Sequence, residues 1–233
     1  MSLEELNKTL AYSCNILARE GHGDNILGHV SVRIPDQANI VMKPHGFGLE
    51  EIRPQHLIVC NLEGEKVEGE YERHTEIFIH TEIYKARPDV NCVVHTHPLY
   101  ATVFGSLGRP LRPISHEGCV FADGLPLFDY TTALIRTPEL GRKVADTLGS
   151  CRATLMKNHG VAVVGSSIEE ATLYAVFLEK AARVQLLATA SGEPSWTADE
   201  ELKLKSEQIY TPHRLGTMWD YFVRRAETDR RGG

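Results

Sequence analysis

No apolar run in this chain reaches the roughly 20 residues that a helix needs to cross a bilayer, and the sequence therefore predicts no membrane span. Basic charge is not in excess either. The 25 Lys and Arg face 31 Asp and Glu, for a formal net charge of −6. A nucleic-acid surface needs a basic stripe to neutralise phosphates, so that class of partner is not expected. No C-x-x-C pair occurs. Cys14, Cys60, Cys92, Cys119 and Cys151 are scattered and odd in number. Such usage fits reduced thiols in a cytoplasmic protein. Cys60 and Cys92 lie in apolar strand-like runs and are expected in the core. The N-terminus, Met1-Ser2-Leu3-Glu4-Glu5-Leu6, has no signal-peptide apolar segment. Repeats, low-complexity tracts and linkers are also missing. What remains is 233 residues, 42% hydrophobic, enough for one sizeable core. A single domain over 1–233 is expected, with a charged, glycine-ended tail from about Arg224 that frays.

Periodicity gives a coarse map. Leu6, Leu10, Cys14 and Leu17 recur at helical spacing until Gly21. Strand-like runs follow at Gly28–Ile34, Ile40–Met42 and His56–Asn61, with a hairpin turn at Leu62-Glu63-Gly64-Glu65. Helical spacing returns over Glu76–Ala86, about Leu99–Leu107, Pro138–Leu148 and from Ser167 to about Ser191. The strands mostly meet in short turns, and helices interrupt them irregularly. That predicts an α/β domain with a mainly antiparallel sheet covered by helices, not a βαβ ladder.

What the chain has in quantity is histidine, eleven in all. His95 and His97 end the apolar run Asn91-Cys92-Val93-Val94-His95-Thr96-His97-Pro98. Residues i and i+2 of a strand share a face, so the two imidazoles project side by side, as two ligands of one ion would. His159 stands after a second strand-like run and before Gly160, where another group can approach closely. Three histidines with an open position describe a catalytic rather than a structural metal centre. Glu76 opens a helix. It is either a first-turn acid favoured by the helix dipole or a carboxylate beside the ion, acting as general base or ligand. This nitrogen and oxygen set suits Zn²⁺, Mn²⁺, Fe²⁺ or Co²⁺, one per subunit. Glu82 is expected to face elsewhere and pair with Lys85 or Arg87. A serine-protease use of Ser115-His116 fails, because adjacent residues do not form a nucleophile–base geometry.

Taken together, the motifs resemble the class II aldolase/adducin family over about Leu6 to Tyr210. The family's Gly-x-x-Ser strand is matched by Gly28-His29-Val30-Ser31, and its Pro-x-Gly loop by Pro44-His45-Gly46. Its acid before an H-x-H pair is matched by Glu76 before His95 and His97, and its final His-Gly by His159-Gly160. The resemblance implies a three-layer α/β/α domain with a mainly antiparallel central sheet. It implies His95, His97 and His159 as metal ligands and Glu76 as the acid/base. It also implies a homotetramer with active sites at subunit interfaces. In such sites the cation chelates a carbonyl and a neighbouring oxygen and stabilises the enolate formed when a C–C bond breaks. Glu76 would move the proton.

The departures point within the family. Sugar-phosphate members carry an asparagine where this chain has His29, and a serine pair where it has His74 and Thr75. Their Pro-x-Gly loop carries a hydroxyl residue where this chain has His45, preceded by Lys43. A pocket lined by His29, Lys43, His45, His74 and Thr75 suits a small anionic substrate, a carboxylate better than a phosphate. The segment after Glu76 resembles the decarboxylase branch, which acts on hydroxylated aromatic or heteroaromatic acids. His116 and Glu117 lie where aldolases place a tyrosine proton donor that reaches a neighbouring subunit's site. Tyr210, or His213, stands where a C-terminal tyrosine closes over it. The expectation is a divalent-metal-dependent decarboxylase of a hydroxylated acid. The alternatives are a class II aldolase, epimerase-type isomerase chemistry, and a non-catalytic adducin-like module.

Overall fold

The computed structural model describes the backbone of residues 2–232 and the side chains of 2–228; the ends of the expected 1–233 domain lie outside these. Eight strands form one sheet: β1 His29–Arg33, β2 Asn39–Met42, β3 Ile58–Asn61, β4 Lys66–Glu68, β5 Cys92–Thr96, β6 Leu127–Phe128, β7 Ala153–Met156 and β8 Gly160–Gly165. Their order is β4-β3-β2-β1-β5-β8-β7-β6. Each neighbouring pair is antiparallel except β6 with β7. Seven helices are found among the described residues: α1 Leu3–Leu17, α2 Ile77–Ala86, α3 Leu99–Leu107, α4 Pro138–Leu148, α5 Ile168–Ser191, α6 Asp199–Ile209 and α7 Pro212–Gly232. None is long and apolar enough to cross a membrane.

The period-2 alternation of the central strands sorts the core into two layers. Val30, Val94 and Val163 pack with α1, α3 and α5. Val93 and Ala162 pack with Ile79 and Ile83 of α2 and with Val144 and Leu148 of α4. Burying aliphatic side chains on both faces drives the three-layer arrangement, at roughly 1.5–3 kcal/mol per fully buried side chain. Local signals set the helix starts. Ser2 and Glu5 form a capping box on α1, Thr137 caps α4 with Pro138 in its first turn, and Ser167 caps α5. Cys60 and Cys92 are buried, and all five thiols are free.

Two expectations are corrected. The C-terminal stretch is helical well beyond Arg224. Ala226 is buried, Arg225 bonds Glu20 at 2.7 Å, and Glu227 accepts from the Tyr12 hydroxyl at 2.7 Å. Charge made the segment look frayed, but two of those charges, on Arg225 and Glu227, are used in tertiary bonds. The second apolar run is also not one strand ending at His159. β7 stops at Met156, and residues 157–159 form the turn into β8, with Asn158 at φ +53°.

Candidate metal centre

β5 lies in the middle of the sheet, and its register fixes the site. His95 pairs with His29 of β1 on one side and with Ala162 of β8 on the other. Its side chain alternates with Val94 and so faces the α2/α4 layer. His97 follows two residues later, just past the strand end. The β7–β8 turn brings in His159 from the adjacent hairpin. One ring nitrogen from each of His95, His97 and His159 lies within 4.8 Å of the other two. Gly160 makes this convergence feasible. A Cβ there would sit 2.3 Å from the Thr96 carbonyl oxygen and 2.6 Å from His97 Cδ2.

The hydrogen bonds around the cluster leave metal-facing lone pairs. His95 Nδ1 donates to the Val161 carbonyl at 3.0 Å. His97 Nδ1 donates to the Asp24 carboxylate at 3.0 Å. Burial pushes both imidazoles below their ordinary pKa, so each is neutral and carries its one proton on Nδ1. Their Nε2 atoms then face each other as bare lone pairs, 3.1 Å apart. Two such acceptors at that distance repel unless a cation sits between them. Ligands at 2.0–2.1 Å on a tetrahedral ion would be about 3.3 Å apart. Both ring nitrogens of His159 are buried without a hydrogen-bond partner. Leaving a buried polar atom unmade costs about 1–3 kcal/mol. The donor set therefore fits a divalent ion, and Asp24 with the Val161 carbonyl orients the ligands from behind.

Glu76 occupies the position before α2 but makes no cap bond with its side chain. Its Oε1 instead accepts from the Ile135 backbone N–H at 2.8 Å. The carboxylate lies 3.6 Å from His159 Nε2 and 3.9 Å from His95 Nε2. Burial raises its pKa, but His159 and the Ile135 N–H outweigh that and hold it below its ordinary value. The Glu76 carboxylate is thus turned toward the imidazoles and the Ile135 N–H rather than back onto the first turn of α2. A buried, ionised carboxylate beside three imidazoles can relay a proton or complete the coordination.

A second tier of nitrogens adjoins the first. The His29 ring lies 4.9 Å from that of His95 and 4.4 Å from that of His74. His74 Nε2 lies 3.0 Å from the Pro44 carbonyl and 3.3 Å from Lys43 Nζ. Lys43 is fully buried. Its ammonium takes the carbonyls of Ile26 and Pro44, and no carboxylate pairs with it among the described residues. Burial lowers its pKa to about 8. His45 is exposed, with its ring 5.4 Å from His74, and Thr75 is exposed beside it. Glu82 turns away to Lys85 at 2.9 Å, as the spacing predicts.

Three further residues expected at the site take no part in this cluster among the described residues. Glu117 pairs with Lys180 of α5 at 2.5 Å. Tyr210 packs on Phe177 of α5, 5.3 Å between ring centroids, and His116 is exposed. No hydrogen bond, ion pair or ring contact among the described residues joins these three to the histidine cluster. Conversely, Asp24 and the Ile135 N–H escaped the sequence reading, since each comes from a loop with no periodic signal.

The family described as Class II Aldolase and Adducin N-terminal domain matches residues 8–186. The chain belongs to that family. It is 34% identical over 196 residues to Decarboxylase NovR of Streptomyces niveus, covering 83% of this chain and 72% of that protein. It is 29% identical to a 3,4-dihydroxyphthalate decarboxylase of Arthrobacter keyseri, covering 79% of each. Among solved structures, an L-fuculose 1-phosphate aldolase from Glaciozyma antarctica superposes with a TM-score of 0.86 at 26% identity, covering 97% of this chain and 89% of that one. Membership of this family, with decarboxylases and aldolases alike among the relatives, makes this class II chain a lyase. Class II aldolases depend on a divalent metal, and the His95–His97–His159 cluster with Glu76 is where this chain would hold one.

Proposed function

We propose that this lyase decarboxylates a hydroxylated aromatic or heteroaromatic carboxylic acid. One observation carries the proposal. The nitrogens of His29, His74 and Lys43 run contiguously from His95, and the resemblance puts His29 and His74 in the places where sugar-phosphate members carry amide and hydroxyl groups. The buried Lys43 ammonium has carbonyl partners but no carboxylate within ion-pair distance among the described residues, and a substrate carboxylate would supply the counter-charge. His45 and Thr75 stand at the outer rim. A bound Zn²⁺ or Mn²⁺ would be held by His95, His97 and His159 and would act as a Lewis acid on the substrate's oxygens. Glu76, fixed by the Ile135 N–H, delivers or accepts the proton at the reacting carbon. His116, Glu117 and Tyr210 would act on a neighbouring subunit's site in a homotetramer, which accords with Glu117 and Tyr210 taking other partners within their own chain. Five free thiols accord with a cytoplasmic location.

The aldolase reading is kept alive by the likeness to an L-fuculose 1-phosphate aldolase across nearly the whole chain. One experiment separates the two. Mn²⁺- or Zn²⁺-loaded protein is incubated with hydroxylated aromatic carboxylates and, separately, with sugar phosphates. CO₂ and aldehyde release are followed, with Glu76→Gln as control. Metal-dependent CO₂ release that falls about 10²–10⁴-fold in the control is the expected result. Aldehyde release alone would overturn the decarboxylase proposal.

A further inference from the structure

Behind His29 runs a buried chain of hydrogen bonds that the metal centre does not use. His29 Nδ1 lies 2.6 Å from His80 Nε2. His80 Nδ1 lies 2.7 Å from Ser31 Oγ. Ser31 Oγ lies 2.8 Å from the Tyr84 hydroxyl. All four side chains are buried. They come from two elements in register. His29 and Ser31 share a face of β1 at i and i+2, while His80 and Tyr84 share a face of α2 at i and i+4. Burial keeps His80 neutral, with its pKa lowered to about 3, so its ring carries a single N–H.

A chain of this kind has two polarities, and its far end decides between them. If Ser31 donated to Tyr84, the phenolic proton would be left with only the Asn91 carbonyl, 3.5 Å away. That distance is outside the O–H···O range, and the same carbonyl already accepts the Arg33 N–H at 2.8 Å. A buried hydroxyl proton is costly to leave unmade, so Tyr84 donates to Ser31. Ser31 then donates to His80 Nδ1, His80 Nε2–H donates to His29 Nδ1, and His29 keeps its own proton on Nε2. One ring nitrogen of His29 lies within 4.8 Å of both Glu76 and His95. With Nδ1 committed to His80, Nε2 is the nitrogen free for that side.

We infer that Tyr84, Ser31 and His80 are positioning residues that fix the tautomer of His29, making it an obligate donor toward the reaction centre. Such a donor recognises a group that only accepts, an ionised carboxylate or a phenolate oxygen. The recognition part rests on the decarboxylase proposal; the tautomer does not. The test is ¹⁵N NMR of the histidine ring nitrogens in the full-length, metal-free protein, wild type and Ser31→Ala. Ala removes the hydroxyl that links Tyr84 to His80, so His80 Nδ1 loses its partner and either ring form of His80 leaves that atom unmade. The expected result is the Nε2–H form at His29 in the wild type. In Ser31→Ala the tautomer ratio shifts toward Nδ1–H by a factor of about 5, the worth of one ordinary hydrogen bond. A similar rise in KM for a carboxylate substrate, with kcat held, would accompany it. Nδ1–H at His29 in the wild type would overturn the inference, whether or not the variant folds. So would an unshifted ratio in a folded variant. If the tautomers behave as expected while hydroxylated carboxylates are not turned over, the decarboxylase proposal fails and the relay stands.

Discussion

The two faces of the sheet hold their polar groups in contrasting ways. On the α2/α4 face, His95, His97, His159 and Glu76 are buried or nearly so; His95, His97 and Glu76 are each aimed by a backbone group or a carboxylate, and His159 is held by the β7–β8 turn. The Nε2 atoms of His95 and His97 lie 3.1 Å apart with lone pairs facing inward, and a ring nitrogen of His159 lies within 4.8 Å of both. On the α5 face, Glu117 has already found its counter-charge in Lys180, and Tyr210 packs on Phe177. The first group is assembled by strand register and lacks only a cation. The second is locally satisfied and awaits nothing from its own chain. Chemistry belongs with the group whose bonding is incomplete.

Removing a ligand should break this contrast most sharply. His95→Ala, His97→Ala or His159→Ala is expected to lower divalent-metal affinity by more than about 100-fold, beyond the 10–100-fold typical of losing an outer partner. Metal content after dialysis, read by elemental analysis, checks this. Stoichiometric metal in any of the three would remove that residue from the centre. Gly160→Ala comes next, because its methyl group would collide with the Thr96 carbonyl and the His97 ring. The β7–β8 turn must then shift and carry His159 with it. Overpacking of this kind costs about 1–3 kcal/mol. Both a lower urea midpoint and weaker metal binding are expected; loss of stability alone would mean that the turn does not place His159.

The fold was legible because alternation and capping residues are local signals, and the site was legible where it follows strand register. His95 and His97 at i, i+2 declared themselves, and Gly160 was readable as a point of close approach. Asp24, the Ile135 N–H and the path from Tyr84 to His29 were not. Each depends on which loop or helix face packs against which strand, and that is tertiary information. The tail misled for a related reason. A charge-rich helix reads as solvated until Glu20 and Tyr12 are seen to receive it.

Acid should sharpen the comparison further, because the α2/α4 face buries neutral histidines. His74 and His80 have their pKa lowered to about 3 from the ordinary 6.5, chiefly by burial. The unfolded chain therefore binds more protons below pH 6.5 than the fold does. The sign follows: stability is fully present above about pH 6.5 and falls as the pH drops toward 3. The slope is about 1.4 kcal/mol per pH unit for each such group. Urea midpoints measured across pH 7 to 4 would show it, and His80→Gln should flatten the curve. A slope unchanged in that variant would mean that His80 is protonated in the fold.

The smallest effect is expected on the other face. Glu117→Gln removes the charge that Lys180 holds, and the Lys180 side chain is 61% exposed. Pairs at the surface are worth about 0.2–1 kcal/mol. Burial raises the Glu117 pKa, yet Lys180 and local hydrogen bonds bring it below its ordinary value, so the residue is ionised at neutral pH and the substitution removes a real charge. Metal content should nevertheless stay stoichiometric, since no bond among the described residues joins Glu117 to the cluster. Turnover then carries the information. If Glu117 serves a neighbouring subunit's site, the rate falls while metal content and monomer stability barely move, and the fall vanishes on dilution below the dissociation constant only because the parent enzyme loses activity there too. If the rate is unchanged at every concentration, the α5 face is scaffold, and all of the chemistry lies with the register-built cluster.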